Sequence, residues 1–441
     1  MSADLLTQQR SVPPETGAKL AEESFLTDDL IRQLINVGEV DVVVGIPTHN
    51  NAKTFGSVLQ AIQAGILKCF PRERAVIINA DAGSRDGTPE MITGASIDDV
   101  RHTYKLNALR TLHAISAQYG STPASGPALR TILASADLLR AKACAVISPE
   151  STNADPEWVA RLLRPVYQDN FDLVAPIYRR HKFDGLLMRQ LVYPMTRAIY
   201  GWRVREPYAS EYGFSGRLGS HFLAQCNWED ETVRRGPELY LTIAAFTGNF
   251  QVCQTYLGDK TAIDRSATDL VPAMRQTVGA LFSSLEPNFS SWSAINGPRA
   301  PVTVGPESEV TLEPLRVNRK RLREMFCSGI ADLGTVFGSI LRAETLAQLQ
   351  QATNCDEETF SYPEELWVKT VYEFAASYHK TVISRDHIIQ AMAPLYRGRI
   401  FTFLTENRNA SGEMVEANVE KLCVEFERWK PYLLELWNGG K

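Results

Sequence analysis

The chain has 441 residues, 44% of them hydrophobic and 22% charged. That is enough apolar material for two or three domains of ordinary size and excludes a disordered or collagen-like polypeptide. Forty-six basic against fifty-one acidic side chains leave a formal net charge of −5, so no global basic field exists to hold nucleic acid or an anionic membrane, and any anion site has to be local.

Residues 1–38 read as an amino-terminal helical extension. They begin with MSADLLTQQRSVPPETGAKLAEE, which lacks the basic and apolar regions of a secretory signal, and no run of about 18 apolar residues follows anywhere. The expectation is a cytoplasmic protein without a membrane span. Phe25, Leu26, Leu30, Ile31 and Leu34 then recur at helical spacing, predicting a short helix that packs on the main body.

From residue 41 the pattern changes to β-branched runs alternating with helical stretches: VDVVVGI, 54–67, AVIINA, 127–140, ACAVIS, 156–168 and DLVAPI. Such alternation predicts an α/β fold with a mostly parallel sheet covered on both faces. Three strands run into polar loops, PTHNN, ADAGSRDGT and PESTNADPEW, and in open α/β sheets ligands bind beyond the carboxyl ends of strands, so these loops should share one crevice. A Pro/Gly-rich connector, INGPRAPVTVGPESE, leads into a carboxy-terminal third without obvious strands. Helical stretches there span 316–351, interrupted at Gly329, Gly334 and Gly338, then 363–379 and 412–437. The partition is an extension at 1–38, a ligand-binding α/β domain at 39–300 and a helical domain at 310–441.

The seven cysteines, at 69, 144, 226, 253, 327, 355 and 423, form no C-x-x-C pair and read as buried thiols in a reducing compartment. Asp81 ends a buried strand and is followed by Gly83, Ser84, Asp86, Gly87 and Thr88. A small-residue turn opening a helix suits close approach of a ligand, whose phosphate or hydroxyl groups its backbone N–H groups can face. The plain alternative is a turn with Asp86 or Thr88 as a helix cap.

The segment from Asp81 to Thr88 resembles the Asp-x-Gly-Ser-x-Asp-Gly-Thr loop of nucleotide-sugar glycosyltransferases with the GT-A fold, and Pro47 with Asn50 resembles the strand–Pro–x–x–Asn segment that precedes it there. A closer likeness, over residues 40 to 405, is to the bacterial glucosyl-3-phosphoglycerate synthase and mannosylglycerate synthase group. The stretches that carry it are Gly126–Arg130, DLVAPIYRRHKFDG, LVYPMTRAIYG, Glu211–Ser215 and SYHKTVISRDHIIQAMAPLYRGR. The resemblance implies a GT-A domain with a helical carboxy terminus. It also implies retaining transfer of a sugar from a nucleoside diphosphate, such as UDP-glucose, to a small acidic acceptor of the glycerate or 3-phosphoglycerate type. Pro47, Asn50, Asp81 and Gly126 would line the donor pocket, Arg130 would hold phosphate, and Glu211 would position the acceptor. Mg²⁺ or Mn²⁺ would sit on the diphosphate, with Glu150 as ligand.

At four places the chain departs from that pattern. The family's Asp-x-Asp element reads Ser148-Pro149-Glu150, its ligand His falls at Ala262, its Gly-Lys-Gly reads Ala124-Ser125-Gly126, and its acceptor loop reads Ala209-Ser210-Glu211. The alternative reading is therefore a catalytically inactive pseudo-glycosyltransferase that binds or assembles, meeting a protein partner through its helical domain.

Three further groups belong to neither reading alone. Arg179–Lys182 form a basic cluster that is either near the acceptor or a solvated loop. His221, His379 and His387 read as packing or surface histidines. Trp292, Trp367, Tyr372, Phe374, Tyr378, Trp429, Tyr432 and Trp437 read as helical-domain core or a homodimer interface. Ser215 lacks the G-x-S-x-G spacing of a nucleophile elbow.

Overall fold

The computed structural model describes residues 26–95, 97–98, 111–120, 123–260, 270–307 and 319–439. Phe25, the first 25 residues as a whole and Ala262 lie outside them. The amphipathic piece forms the helix Asp28–Val37. Thr27 accepts a hydrogen bond from the Leu30 N–H, Asp28 and Asp29 occupy the first turn, and Leu30, Leu34 and Val37 are buried.

The described residues form nine strands, β1 (Val42–Thr48), β2 (Ala75–Asp81), β3 (Ile97–Asp98), β4 (Thr111–Gln118), β5 (Ala143–Val146), β6 (Leu173–Arg179), β7 (Tyr212–Ser215), β8 (Val252–Asp259) and β9 (Val302–Val304). They form one sheet in the order β3-β4-β2-β1-β5-β7-β6-β8-β9. β4, β2, β1 and β5 run parallel, as do β6, β8 and β9, while β7 is antiparallel to both its neighbours. This is the mostly parallel α/β fold expected from the alternation.

β1 and β2 are apolar almost throughout because both their faces are covered. Val42, Val44 and Ile46 pack with Phe55 and Trp158 from the helices Ala52–Cys69 and Pro156–Tyr167. Val43, Val76 and Ile78 point the other way, into a cluster that runs on through the helices Ser125–Leu138 and Leu270–Leu285 into the carboxy-terminal helical region. Among the described residues, the sheet face and that region thus share one continuous apolar core.

Several elements differ from the sequence expectation. The Pro/Gly-rich connector contains β9, which pairs with β8 from Cys253↔Val302 to Thr255↔Val304. The described part of the 316–351 stretch, from residue 319, is three helices, Arg319–Asp332, Gly334–Ile340 and Ala343–Thr353. Its breaks fall at Leu333 and Leu341–Arg342, whereas Gly329 lies inside the first helix, where an added Cβ would stand 2.3 Å from Pro394 Cβ. Pro394 belongs to Arg385–Glu406, a helix with no apolar stripe because it is buried almost all round. All seven cysteines are free, but only Cys144, Cys253 and Cys423 are buried. Among the described residues no helix is long and apolar enough to cross a membrane.

Candidate functional site

The chain leaves β1 toward β2 on one side and returns to β5 on the other, so the strand order reverses beside β1, where open α/β sheets form their ligand crevice. The loops that follow β1, β2 and β5 all open at this edge. In register, Thr48 stands beside Asp81, and Gly45 beside Val146.

Asp81 is 2% exposed. The Thr48 hydroxyl lies 2.8 Å from its Oδ1 and 2.6 Å from Asn79 Oδ1. Ser84 donates its N–H to Asp81 Oδ2 at 2.8 Å and its hydroxyl to Oδ1 at 2.6 Å. The two loops are then stitched across. The Asn50 N–H donates to Ser84 Oγ at 2.8 Å, and the Arg85 N–H donates to Asn50 Oδ1 at 3.0 Å.

Asn50 is exposed and has a φ of 53°, a left-handed conformation that asparagine tolerates better than most residues. Pro47 is half-buried at the same corner. Asp86 and Thr88 do cap a helix, but it is Ala52–Cys69: Asp86 accepts from the Ala52 N–H at 2.9 Å and Thr88 from the Asn51 N–H at 3.0 Å. The element that follows them is a 3-10 turn, Pro89–Ala95.

Tyr119, whose N–H donates to the Asp81 carbonyl at 3.0 Å, lines a hollow together with Arg130. The Arg130 guanidinium stands 5.8 Å from the Trp228 ring centroid and 3.9 Å from the Glu229 carboxylate. Tyr119, Arg130, Thr131, Trp228 and Arg234 line this hollow of about 180 Å³. Gly126 is buried against protein, since a Cβ there would meet Arg234 Cα at 2.5 Å, so its missing side chain admits a neighbouring backbone. Behind Ser125 sits Glu238, whose Oε2 is buried with no hydrogen-bond partner. Burial pushes its carboxyl up to about 7, against hydrogen bonds from its own N–H and from Ser125.

Glu211 precedes β7 and is 0% exposed. It accepts from Ser151 Oγ at 2.6 Å, from the Tyr178 hydroxyl and from Lys260 Nζ at 2.6 Å. Burial pushes its carboxyl up, but the Lys260 ammonium and these hydrogen bonds outweigh it and hold the group below the ordinary carboxylate value. The Lys260 Nζ also stands 4.8 Å from the Tyr178 ring centroid. Asn153 donates to the Asp259 carbonyl at 2.8 Å, tying the β5 loop to the end of β8. Glu211 was expected to meet an acceptor; here its carboxylate faces three protein donors beneath the surface.

The donor set for a divalent ion is thin. Glu150 is exposed, and its N–H donates to Ser148 Oγ at 3.2 Å. Among the described residues no three His, Cys, Asp or Glu side chains come together as a metal would require. Among the described residues, a Mg²⁺ or Mn²⁺ held by three or more protein side chains therefore has no ligand set.

In the basic cluster, Arg179, Arg180 and Lys182 each hold protein partners. Arg180 pairs with Glu206 at 3.0 Å and Asp184 at 3.3 Å. Lys182 donates to the carbonyls of Asn407, Arg408 and Ala410, closing the end of the helix Arg385–Glu406. Arg179 pairs with Glu307. Ser215 is an N-cap and donates to Asp172 at 2.7 Å. His379 stacks on Trp437, and Trp292, Trp367, Tyr372 and Phe374 are fully buried.

Thr48, Ser151, Tyr178 and Lys260 have no site role from the sequence alone. Each sits at a strand's carboxyl end or in a loop beyond it, which is the signal that would have singled them out, but Lys260 and Tyr178 meet Glu211 from 49 and 33 residues away.

No family model matches the chain, and no curated protein matches it. Among solved structures it is similar to glucosyl-3-phosphoglycerate synthase from Mycobacterium tuberculosis in complex with Mn²⁺, uridine diphosphate and glucosyl-3-phosphoglycerate. The identity is 19% and the TM-score 0.39, over 56% of this chain and 79% of that one. It is also similar to mannosyl-3-phosphoglycerate synthase from Rubrobacter xylanophilus, at 18% identity and a TM-score of 0.40, over 61% of this chain and 81% of that one. The first carries one of the names of the synthase group that the sequence motifs resemble.

Proposed function

We propose that the crevice beside β1 binds a nucleoside-diphosphate sugar, such as UDP-glucose, and passes its sugar with retention to a small acidic acceptor of the glycerate or 3-phosphoglycerate type. One observation supports this above the others: the two loops whose motifs resemble the donor-binding loops of GT-A transferases, some 30 residues apart in the chain, are joined by hydrogen bonds into one corner around Asp81. In this function Pro47, Asn50 and Asp81 line the nucleoside pocket. Arg130 faces phosphate, and Gly126 lets the helix Ser125–Leu138 start close to the neighbouring backbone. The bond from the anomeric carbon to the diphosphate breaks, a bond to the acceptor hydroxyl forms on the same face, and the hydroxyl proton leaves with the diphosphate.

The second reading is a protein that binds or assembles without transferring a sugar. Asp81 and Glu211 already hold hydrogen bonds from protein donors, as they would in a cleft that binds a nucleotide sugar without transferring it and meets a protein partner through the helical region. Calorimetric titration with UDP-, GDP- and ADP-sugars, with and without Mn²⁺, followed by a product assay with glycerate and 3-phosphoglycerate, separates the two. Binding with turnover is the expected result. Binding without product would favour the non-transferring protein, and no binding to any donor would end the transfer reading and leave only assembly through the helical region.

A further inference from the structure

A sugar transfer from a nucleoside diphosphate builds negative charge on the departing phosphate oxygens, and something in the cleft has to meet it. Among the described residues, the carboxylates and imidazole that would hold a metal for this task are not gathered. Glu150 is exposed, serine stands at 148, and Glu211 is engaged by three donors. What does stand at that place is a cation of the chain itself.

Lys260 follows β8 directly, and β8 runs parallel to β6, so its side chain emerges at the same edge as the three loops. Tyr178 of β6 lies under its ammonium, and Glu211, one residue before β7, holds it. Register fixes the depth: Tyr212 pairs with Val146, which puts Glu211 level with Ile147, next to the loop that begins at Ser148. Ser151 of that loop shares the Glu211 carboxylate with Lys260.

The Lys260–Glu211 pair is neutral overall but oriented. The carboxylate has a side-chain exposure of 0% and the lysine 17%, so of the two side chains only the lysine reaches the surface. One of its three N–H donors goes to Glu211, and an ammonium can turn the others toward an anion. Arg180, the other cation against Tyr178, is neutralised by Glu206 and Asp184.

We propose that Lys260, held by Glu211 and Tyr178, takes the place of the divalent ion and neutralises the diphosphate of the bound donor. This rests on the reading of the cleft as a nucleoside-diphosphate site.

The test is calorimetric titration of the full chain with UDP, GDP and ADP, each in EDTA and in Mn²⁺. The proteins would be the wild type, Lys260→Met, Lys260→Arg and the double variant Lys260→Met/Glu211→Gln. At least one diphosphate should bind the wild type with the same affinity in EDTA and in Mn²⁺. Lys260→Met should weaken that binding by about 10- to 100-fold, as expected for a charge-assisted hydrogen bond, and Lys260→Arg should recover most of it. Lys260→Met leaves a buried carboxylate without its counter-ion and could unfold for that reason alone. The double variant removes both charges, should melt close to the wild type, and should bind as weakly as Lys260→Met. Binding that requires Mn²⁺, or that survives in the folded double variant, would overturn the role of Lys260 while leaving the nucleotide site standing. If none of the three diphosphates binds under either condition, the site and the proposal fall together.

Discussion

Glu238 shows how a single buried acid links stability to pH. Its ordinary carboxyl value is 4.5 and burial raises it to about 7, so between those values the folded protein holds a proton that the unfolded chain has released. The stabilisation is complete below 4.5 and is lost as pH rises through about 7. Relative to Glu238→Gln, the wild-type melting temperature should therefore fall between about pH 5 and about pH 8. A difference that stays constant over this range would show that Glu238 keeps its ordinary value. Arg197 makes the complementary case. Its side chain is 0% exposed, while its partners Glu420 and Glu427 are 46% and 24% exposed. Glu420 meets the guanidinium with both oxygens, at 2.6 and 2.8 Å. Removing both acids strands a buried cation, whereas removing the arginine leaves carboxylates that water can reach. In urea titrations Glu420→Gln/Glu427→Gln should cost about 3–5 kcal/mol, and Arg197→Met clearly less. The reverse order would place the desolvation cost on the acids.

At the scale of elements, the helices Arg319–Asp332 and Arg385–Glu406 cross where each lends the other a glycine. Gly329 admits Pro394, and Gly398 admits Phe326, whose Cδ2 would stand 2.4 Å from an added Cβ. Phe326 is fully buried and cannot swing away. Gly398→Ala should therefore lower the urea midpoint, at a cost of about 1–3 kcal/mol from overpacking, despite alanine's better helix propensity; an unchanged midpoint would mean that the crossing can slide apart. These elements also show what the sequence made legible. β1, β2 and β5 are visible because their apolar runs are local, and the carboxyl-edge loops follow from them. β4, with Leu112, Ile115 and Ala117 buried among polar neighbours, gives a weaker signal. The helix Arg385–Glu406 lacks a stripe to read. The corner around Asp81 was legible because its motifs are contiguous, whereas Lys260, Tyr178 and Glu211 are brought together only by strand order, which spacing does not encode.

Across the whole molecule, the carboxy-terminal helices complete the core rather than stand beside it. Trp367 donates its indole N–H to the Gln190 carbonyl at 2.8 Å, and Lys430 donates to the carbonyls of Ile199, Trp292 and Ile295. A chain ending at residue 309 would expose the apolar surface that these helices cover. The full chain should melt in a single cooperative transition, whereas the truncated chain should melt without one and bind a hydrophobic dye. A truncated chain that melts sharply would instead make residues 310–441 a separable domain. Lys430 offers a way to watch that seam open. It is 6% exposed, and burial lowers its amine to about 8. With three carbonyls around its nitrogen, it should resist an acylating reagent that quickly modifies Lys68 and Lys142, which are 67% and 66% exposed. Residue-resolved mass spectrometry would then turn Lys430 into a clock. Each acyl group found there would record one excursion in which the last helix left the sheet-bearing part of the protein, and the rate relative to Lys68 would give the fraction of time spent apart.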